Sequence, residues 1–236
     1  MRRLQSRELH LGGSNLRIVA FSDQGDFRTS AVVRRFGFLV FFIAVVQAFA
    51  CSAQPSNRAA WRGHYFLVVS GFQGPDNDVV HSHTFASFYS GNDLANGVIK
   101  PATISWLPAT GVVQPFGSER GHNFTLAQTL RMACRLGRDV KSWGPYQIEP
   151  ALYQKALRRI QLLKSGRVQY AMIDTQPGTL NCIDAAGDLT PVPLDSGIAW
   201  GFVASDEVVR HLSPYFERSG ATVDALAELL VSKACR

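Results

Sequence analysis

Hydrophobic and polar positions along this chain change period several times, and each change marks an element. The stretch "HYFLVVSGFQ" at 64–73 is dense in β-branched and aromatic residues and ends at Gly74-Pro75, which predicts a strand. A second strand is expected over "VVHSHTFASFYS" (79–90) and a third over "GVIKPATISWLP" (97–108), closed by Pro108. From Phe124 to Leu136 the spacing turns helical: Leu126, Ala127, Leu130, Ala133 and Cys134 share a stripe, with Asn123 or Thr125 as cap and Gly137 as stop. "DVKSWGPYQI" (139–148) reads as a strand with a Gly-Pro break. The clearest helix follows at 149–166, with Pro150 in its first turn and apolar positions at Leu152, Tyr153, Ala156, Leu157, Ile160 and Leu163.

Beyond it, "RVQYAMID" (167–174) predicts another strand, and "TLNCIDAAGDL" (179–189) a short helix behind a Pro-Gly turn. A proline-bearing loop and a short apolar run "IAWGFVA" (198–204) lead to two further helices, over 205–217 and 222–234, capped by Ser205 and Thr222. Strands and helices alternate without a βαβ rhythm, so the expected class is α+β, an antiparallel sheet packed against helices.

The start of the chain changes this picture. Residues 36–50, "FGFLVFFIAVVQAFA", are a 15-residue uncharged run behind Arg34 and Arg35 and before "CSAQPS", the marks of a secretory signal. The run is shorter than the roughly 20 residues a membrane span needs. Residues 1–32 have little apolar periodicity and are expected to be a non-native extension, with initiation at Val33, a signal peptide over 33–53 and a single globular domain over 54–236. Cleavage is expected after Ala50 or Ala53, and "AFAC" resembles a lipoprotein box with Cys51 as the anchored residue. The expected location is therefore periplasmic or extracellular, lipid-anchored in that second case, with no stable membrane span in the mature chain and a monomeric state.

Charge follows the same division. Of 24 Lys and Arg and 18 acidic residues, seven Arg and three acids lie in residues 1–35, which leaves 17 basic and 15 acidic residues, a net +2, in 54–236. No basic cluster interleaved with aromatics remains, so nucleic acid is not an expected partner. About 183 residues are enough for one domain with a real core.

Candidate chemistry centres on Cys182. In the first turn of a short helix, free backbone N–H groups and the positive end of the dipole lower a thiol's pKa, so position alone offers either a nucleophile or a small buried residue. A base is also needed. On a strand, His81 and His83 point to one face together with Phe85 and Ser87. The same two imidazoles with His122 of "SERGHNF" offer a different chemistry, a three-histidine zinc site. Cys134 and Cys235 could pair and leave Cys182 free, whereas a Cys134–Cys182 pair would remove the nucleophile. Trp143 and Tyr146 of "WGPYQI" are candidates for a cleft wall or for plain core.

The order of these pieces, "HTFASF" first and "YAMIDTQPGTLNCIDAAGDL" later, resembles the circularly permuted branch of the NlpC-type papain-like thiol hydrolases, which includes the lecithin retinol acyltransferase-like proteins. The resemblance covers about residues 64–190 and implies a papain-like fold in permuted order. It implies Cys182 as nucleophile, His83 as base with His81 as the alternative, and Ser105, the polar residue near the centre of "ATISW", as the residue that orients the base. Asn181-Cys182-Ile183-Asp184-Ala185 departs from the acyltransferase-like pattern Asn-Cys-Glu-His-Phe, which shifts the expectation from lipid acyl transfer to hydrolysis of an amide or ester in the cell envelope. The expected partner is thus a cell-envelope substrate, a peptide, peptidoglycan or lipid ester, with no cofactor. A secreted binding or structural module on the same scaffold is the other class to weigh.

Overall fold

The computed structural model describes residues 58–217 apart from 77, 174, 175, 196 and 198. The proposed extension and signal peptide, Cys51, Cys235 and the 222–234 helix with Thr222 lie outside the described residues. In chain order the elements are β1 (Tyr65–Gln73), β2 (His83–Ser90), α1 (Gly91–Ala95), β3 (Ala102–Ile104), β4 (Trp106–Pro108), β5 (Glu119–Asn123), α2 (Leu126–Arg135), β6 (Asp139–Ile148), α3 (Pro150–Lys164), β7 (Gln169–Tyr170), β8 (Thr179–Leu180), α4 (Cys182–Gly187) and α5 (Gly201–Leu212). The class is α+β, as the mixed periods imply.

The larger sheet has the order β3-β2-β1-β6 and is antiparallel throughout. The register places Phe72 opposite His83, Ser70 opposite Phe85, Val68 opposite Ser87 and Phe66 opposite Tyr89, so these eight side chains share one face. On that face Phe72 and Phe85 pack with Ala133 of α2, while Phe66, Val68 and Tyr89 pack with Trp61 and Leu94. The opposite face, with Leu67, Val69, Ala86 and Phe88, joins the main core formed with Leu152, Ala156 and Ile160 of α3, Cys182 and Ala185 of α4, and Val208 of α5. Covered on both sides, β1 is buried at every interior position, which is why its sequence reads as a continuous apolar run and not as an alternation.

The third expected strand is in fact two. Ser105 interrupts "ATISWLP": β3 pairs with β2 in the larger sheet, and β4 leaves to pair with β5 in a second sheet of order β4-β5-β7-β8. The stretch "SERGHN" supplies β5, in which Arg120 and His122 are exposed and Asn123 is buried. Only two residues of "RVQYAMID" extend as a strand, β7, which pairs with β5 and, in parallel, with β8. The second expected strand begins at His83 and not at Val79, because Val79–His81 form a 3₁₀ turn capped by Asp78.

Helix ends follow local chemistry. Thr125 and Gln128 form a reciprocal capping box at the start of α2, which decides between Asn123 and Thr125. Gly137, at φ 61°, follows its end as the stop. The expected helix at 205 starts earlier, at Gly201, and Ser205 is a buried interior residue whose hydroxyl donates to the Gly201 carbonyl, not an N-cap.

Trp106 anchors the joint between the sheets. It is fully buried, its indole N–H donates to the Leu180 carbonyl at 3.0 Å, and its ring packs against Gly121, where an added Cβ would come within 2.0 Å of ring carbon. Gly121→Ala is therefore expected to lower unfolding stability by about 1–3 kcal/mol, the usual cost of overpacking a rigid side chain. Urea denaturation of the two proteins measures it, and equal midpoints would contradict this packing.

Candidate functional site

Cys182 is the first residue of α4, and Asn181 is the N-cap. The Asn181 side-chain oxygen accepts from the main-chain N–H groups of Ile183 and Asp184 at 2.8 and 2.9 Å, while its amide donates to Asp184 Oδ2 at 2.7 Å. Asn181 thus sets the angle at which α4 begins. The thiol is buried near Thr84 of β2, and the main-chain N–H groups of Thr84, Cys182 and Ile183 are close enough to the sulfur to favour its charged form.

His83, one residue earlier on β2, is 1% exposed. Its ring lies beside Phe72 and Phe85, at centroid distances of 5.2 and 5.6 Å. Nε2 is 2.9 Å from Ser105 Oγ, and Nδ1 is buried with no hydrogen-bond partner. A buried ring nitrogen left unpaired is costly, so one that persists invites a functional explanation. Ser105 occupies the break between β3 and β4 and is fully buried, as is Thr129 of α2, whose Oγ1 lies 2.7 Å from Ser105 Oγ.

His83 and Cys182 line one cavity of about 320 Å³. Its walls are mainly apolar, with Tyr170, Met172, Ile173, Ile183 and Trp200 among them. Ser105 stands behind His83 and not in the cavity wall. The structure therefore gathers three of the four candidates, two on the cavity and one behind them. His81 is set apart: it ends the 3₁₀ turn, faces solvent, holds Asp78 Oδ2 through Nδ1 at 2.9 Å and does not line the cavity. Because the strand starts after it, the two-residue spacing that was to align His81 with His83 does not apply.

Among the described residues zinc finds no site. His122 lies exposed on β5 with its ring edge-on to Phe124, and among the described residues no three His, Cys, Asp or Glu side chains converge as metal donors. Cys134 is disulfide-bonded and Cys182 is a free thiol, so these two are not partners.

Electrostatics reverse the expectation for the thiol. Burial pushes Cys182 from 9.0 up to about 11, against the lowering effect of the hydrogen bonds from Thr84, Cys182 and Ile183, and nearby Asp184 raises it further. Burial likewise pushes His83 from 6.5 down to about 3. A helix start contributes about 0.3–1 kcal/mol, at most about 2, whereas full desolvation shifts a pKa by up to about 3–5 units. Desolvation wins, and the resting groups are a neutral thiol and a neutral imidazole on one cavity.

Three contributors were missed in the sequence: Thr84, Asn123 and Thr129. Thr129 carried a signal, a polar residue one position from Leu130, three from Leu126 and four from Ala133 on the buried stripe of α2. Thr84 acts through its main chain, which no side-chain pattern announces. No family model, no curated protein and no solved structure matches the chain.

Both shifts bear on stability. His83 has its pKa depressed on folding, so the unfolded chain binds the extra proton and stability present above pH 6.5 is lost as pH falls toward 3, on the order of 4–5 kcal/mol in all. Cys182 has its pKa raised, so its contribution is full below pH 9 and is lost as pH rises toward 11, on the order of 3 kcal/mol. Urea midpoints across pH 3–11 should show both slopes, with His83→Leu flattening the acid side and Cys182→Ala the alkaline side. Unchanged slopes in these variants would show that neither group is buried in solution.

Proposed function

We propose that this chain is an exported thiol hydrolase that cleaves an amide or ester of the cell envelope through an acyl-enzyme on Cys182. The observation that carries the reading is that His83, whose Nδ1 is buried without a hydrogen-bond partner, and Cys182 line one cavity. A base needs a free lone pair near the nucleophile and something to hold its other nitrogen, and Ser105 does the holding at 2.9 Å. The histidine strand preceding the cysteine helix keeps the resemblance to the permuted NlpC-type hydrolases as support. Export rests on the apolar run at 36–50 behind two arginines.

The steps follow from these atoms. His83 Nδ1 takes the thiol proton as the sulfur attacks the substrate carbonyl carbon. The main-chain N–H groups of Thr84 and Cys182, which now face the sulfur, are the donors beside the point where the oxyanion develops. The imidazolium returns its proton to the leaving amine or alcohol. Water, deprotonated by the same nitrogen, then cleaves the thioester. The apolar walls favour an acyl group without charge, since a carboxylate there would be desolvated.

A non-catalytic binding module on the same scaffold is the second reading, and the neutral resting state of the pair favours it. Turnover decides between them. With a series of aryl esters and amides, the reduced protein should show a burst followed by steady release. Cys182→Ser should abolish it, His83→Ala should slow it by about 10²–10⁴ and chelators should leave it unchanged. Intact mass should find the acyl group on Cys182. Absence of any labelling in folded, reduced protein would leave the binding module as the reading.

A further inference from the structure

We infer that Thr129, on the buried face of α2, is a positioning residue that lets Ser105 accept a hydrogen bond from His83 while His83 works as a base. The inference rests on the thiol-hydrolase reading and follows from where each proton must go. To receive the Cys182 proton at Nδ1, His83 must carry its other proton at Nε2, and that N–H must donate to Ser105 Oγ at 2.9 Å. Ser105 then has its own hydroxyl proton to place.

Its main chain is already committed. The Ser105 N–H donates to Asn123 Oδ1 at 2.9 Å, its carbonyl accepts from Phe124 N–H at 2.9 Å, and Asn123 is itself held by donating to the Thr103 carbonyl at 2.8 Å. The backbone of Ser105 is therefore fixed, and its hydroxyl has Thr129 Oγ1 at 2.7 Å. Thr129 has one proton and two acceptors, Ser105 Oγ at 2.7 Å and the Thr125 carbonyl at 3.0 Å. With Nε2 bare, Thr129 donates to Ser105 and Ser105 donates to His83. With Nε2 protonated, both hydroxyls turn: His83 donates to Ser105, Ser105 to Thr129, and Thr129 to the Thr125 carbonyl.

The two arrangements belong to the two neutral tautomers of His83, which differ in the nitrogen that carries the ring proton, and only the one protonated at Nε2 can act as base. From it the only covalent change is the transfer of one proton from the Cys182 sulfur to His83 Nδ1, and each hydroxyl keeps one proton throughout. Ser105 and Thr129 are both fully buried, so bulk water is not at hand to replace either partner. The charged groups nearest the pair leave this role to the hydroxyls: Asp184 bears on the thiol and is tied to Asn181, and no charge perturbs His83, whose shift comes from burial alone.

The test is the alkylation rate of Cys182 by iodoacetamide in the reduced full chain, at pH 6.5 and at pH 10. At pH 6.5 the reaction depends on His83 taking the proton, while at pH 10 the thiol begins to ionise without it. Thr129→Val should slow the pH 6.5 reaction by about tenfold, the effect of leaving one buried hydroxyl unpaired, and leave the pH 10 rate unchanged. Thr129→Ser should restore it, and the same should hold for kcat with KM unaltered. A merely structural role would change both rates by one factor; that result, or an unaltered pH 6.5 rate, overturns the inference. Should Thr129→Val fail to melt cooperatively, Thr129→Ala serves in its place. His83→Ala separates the two claims: if it leaves the pH 6.5 rate unchanged, the hydrolase reading falls, whereas slowing by His83→Ala without slowing by Thr129→Val removes only the relay.

Discussion

Removing His83 from water is the constraint on which the site depends. A neutral imidazole stripped of solvent needs a partner for each nitrogen, and the fold supplies one for Nε2 and none for Nδ1. Supplying that one partner requires the chain to leave the larger sheet at Ser105, to be pinned by Asn123 of β5, and to be backed by Thr129 of α2. The break between β3 and β4, the capped start of α2 and the placement of β5 thus all converge on one hydroxyl. Trp106, the next residue after Ser105, holds the same joint from the other direction by packing on Gly121 and bonding Leu180, two residues before Cys182.

Much of this was legible from periodicity. The long elements β1, β6, α2 and α3 carry enough residues for their hydrophobic period to dominate, and they sit where the pattern puts them. Residues whose position is decided by tertiary contacts were not legible. Ser105 looks like the middle of one strand because "ATISWLP" is uniformly β-prone, and only the pairing partners on either side show that the strand changes sheets. His81 looks like a strand residue because the alternation continues through it, but the Asp78 cap turns the chain there into a 3₁₀ turn. Gly201 begins α5 at positive φ, a geometry that the apolar run "IAWGFVA" does not announce. Of the candidate site, Cys182 was reached from its place at a helix start, His83 from the strand alternation and Ser105 by resemblance, whereas the sign of the thiol shift was misjudged because helix position is visible in a sequence and burial depth is not.

That sign matters for how the chemistry must run. For thiol near 11 and imidazole near 3, moving the proton to give separated ions costs on the order of 11 kcal/mol. Attraction between two unit charges about 4 Å apart at an effective dielectric of 20 returns about 4 kcal/mol. The remainder is too large for a standing thiolate–imidazolium pair at neutral pH, so the nucleophile is not stored in its charged form. In the thiol-hydrolase reading proton transfer therefore accompanies attack, when the charge leaving the sulfur passes into the substrate oxygen and meets the N–H groups at the start of α4. In the same reading the hydroxyl chain behind His83 then matters most at the moment of transfer, because the imidazolium exists only there and Ser105, backed by Thr129, is the group placed to accept a hydrogen bond from its Nε2–H.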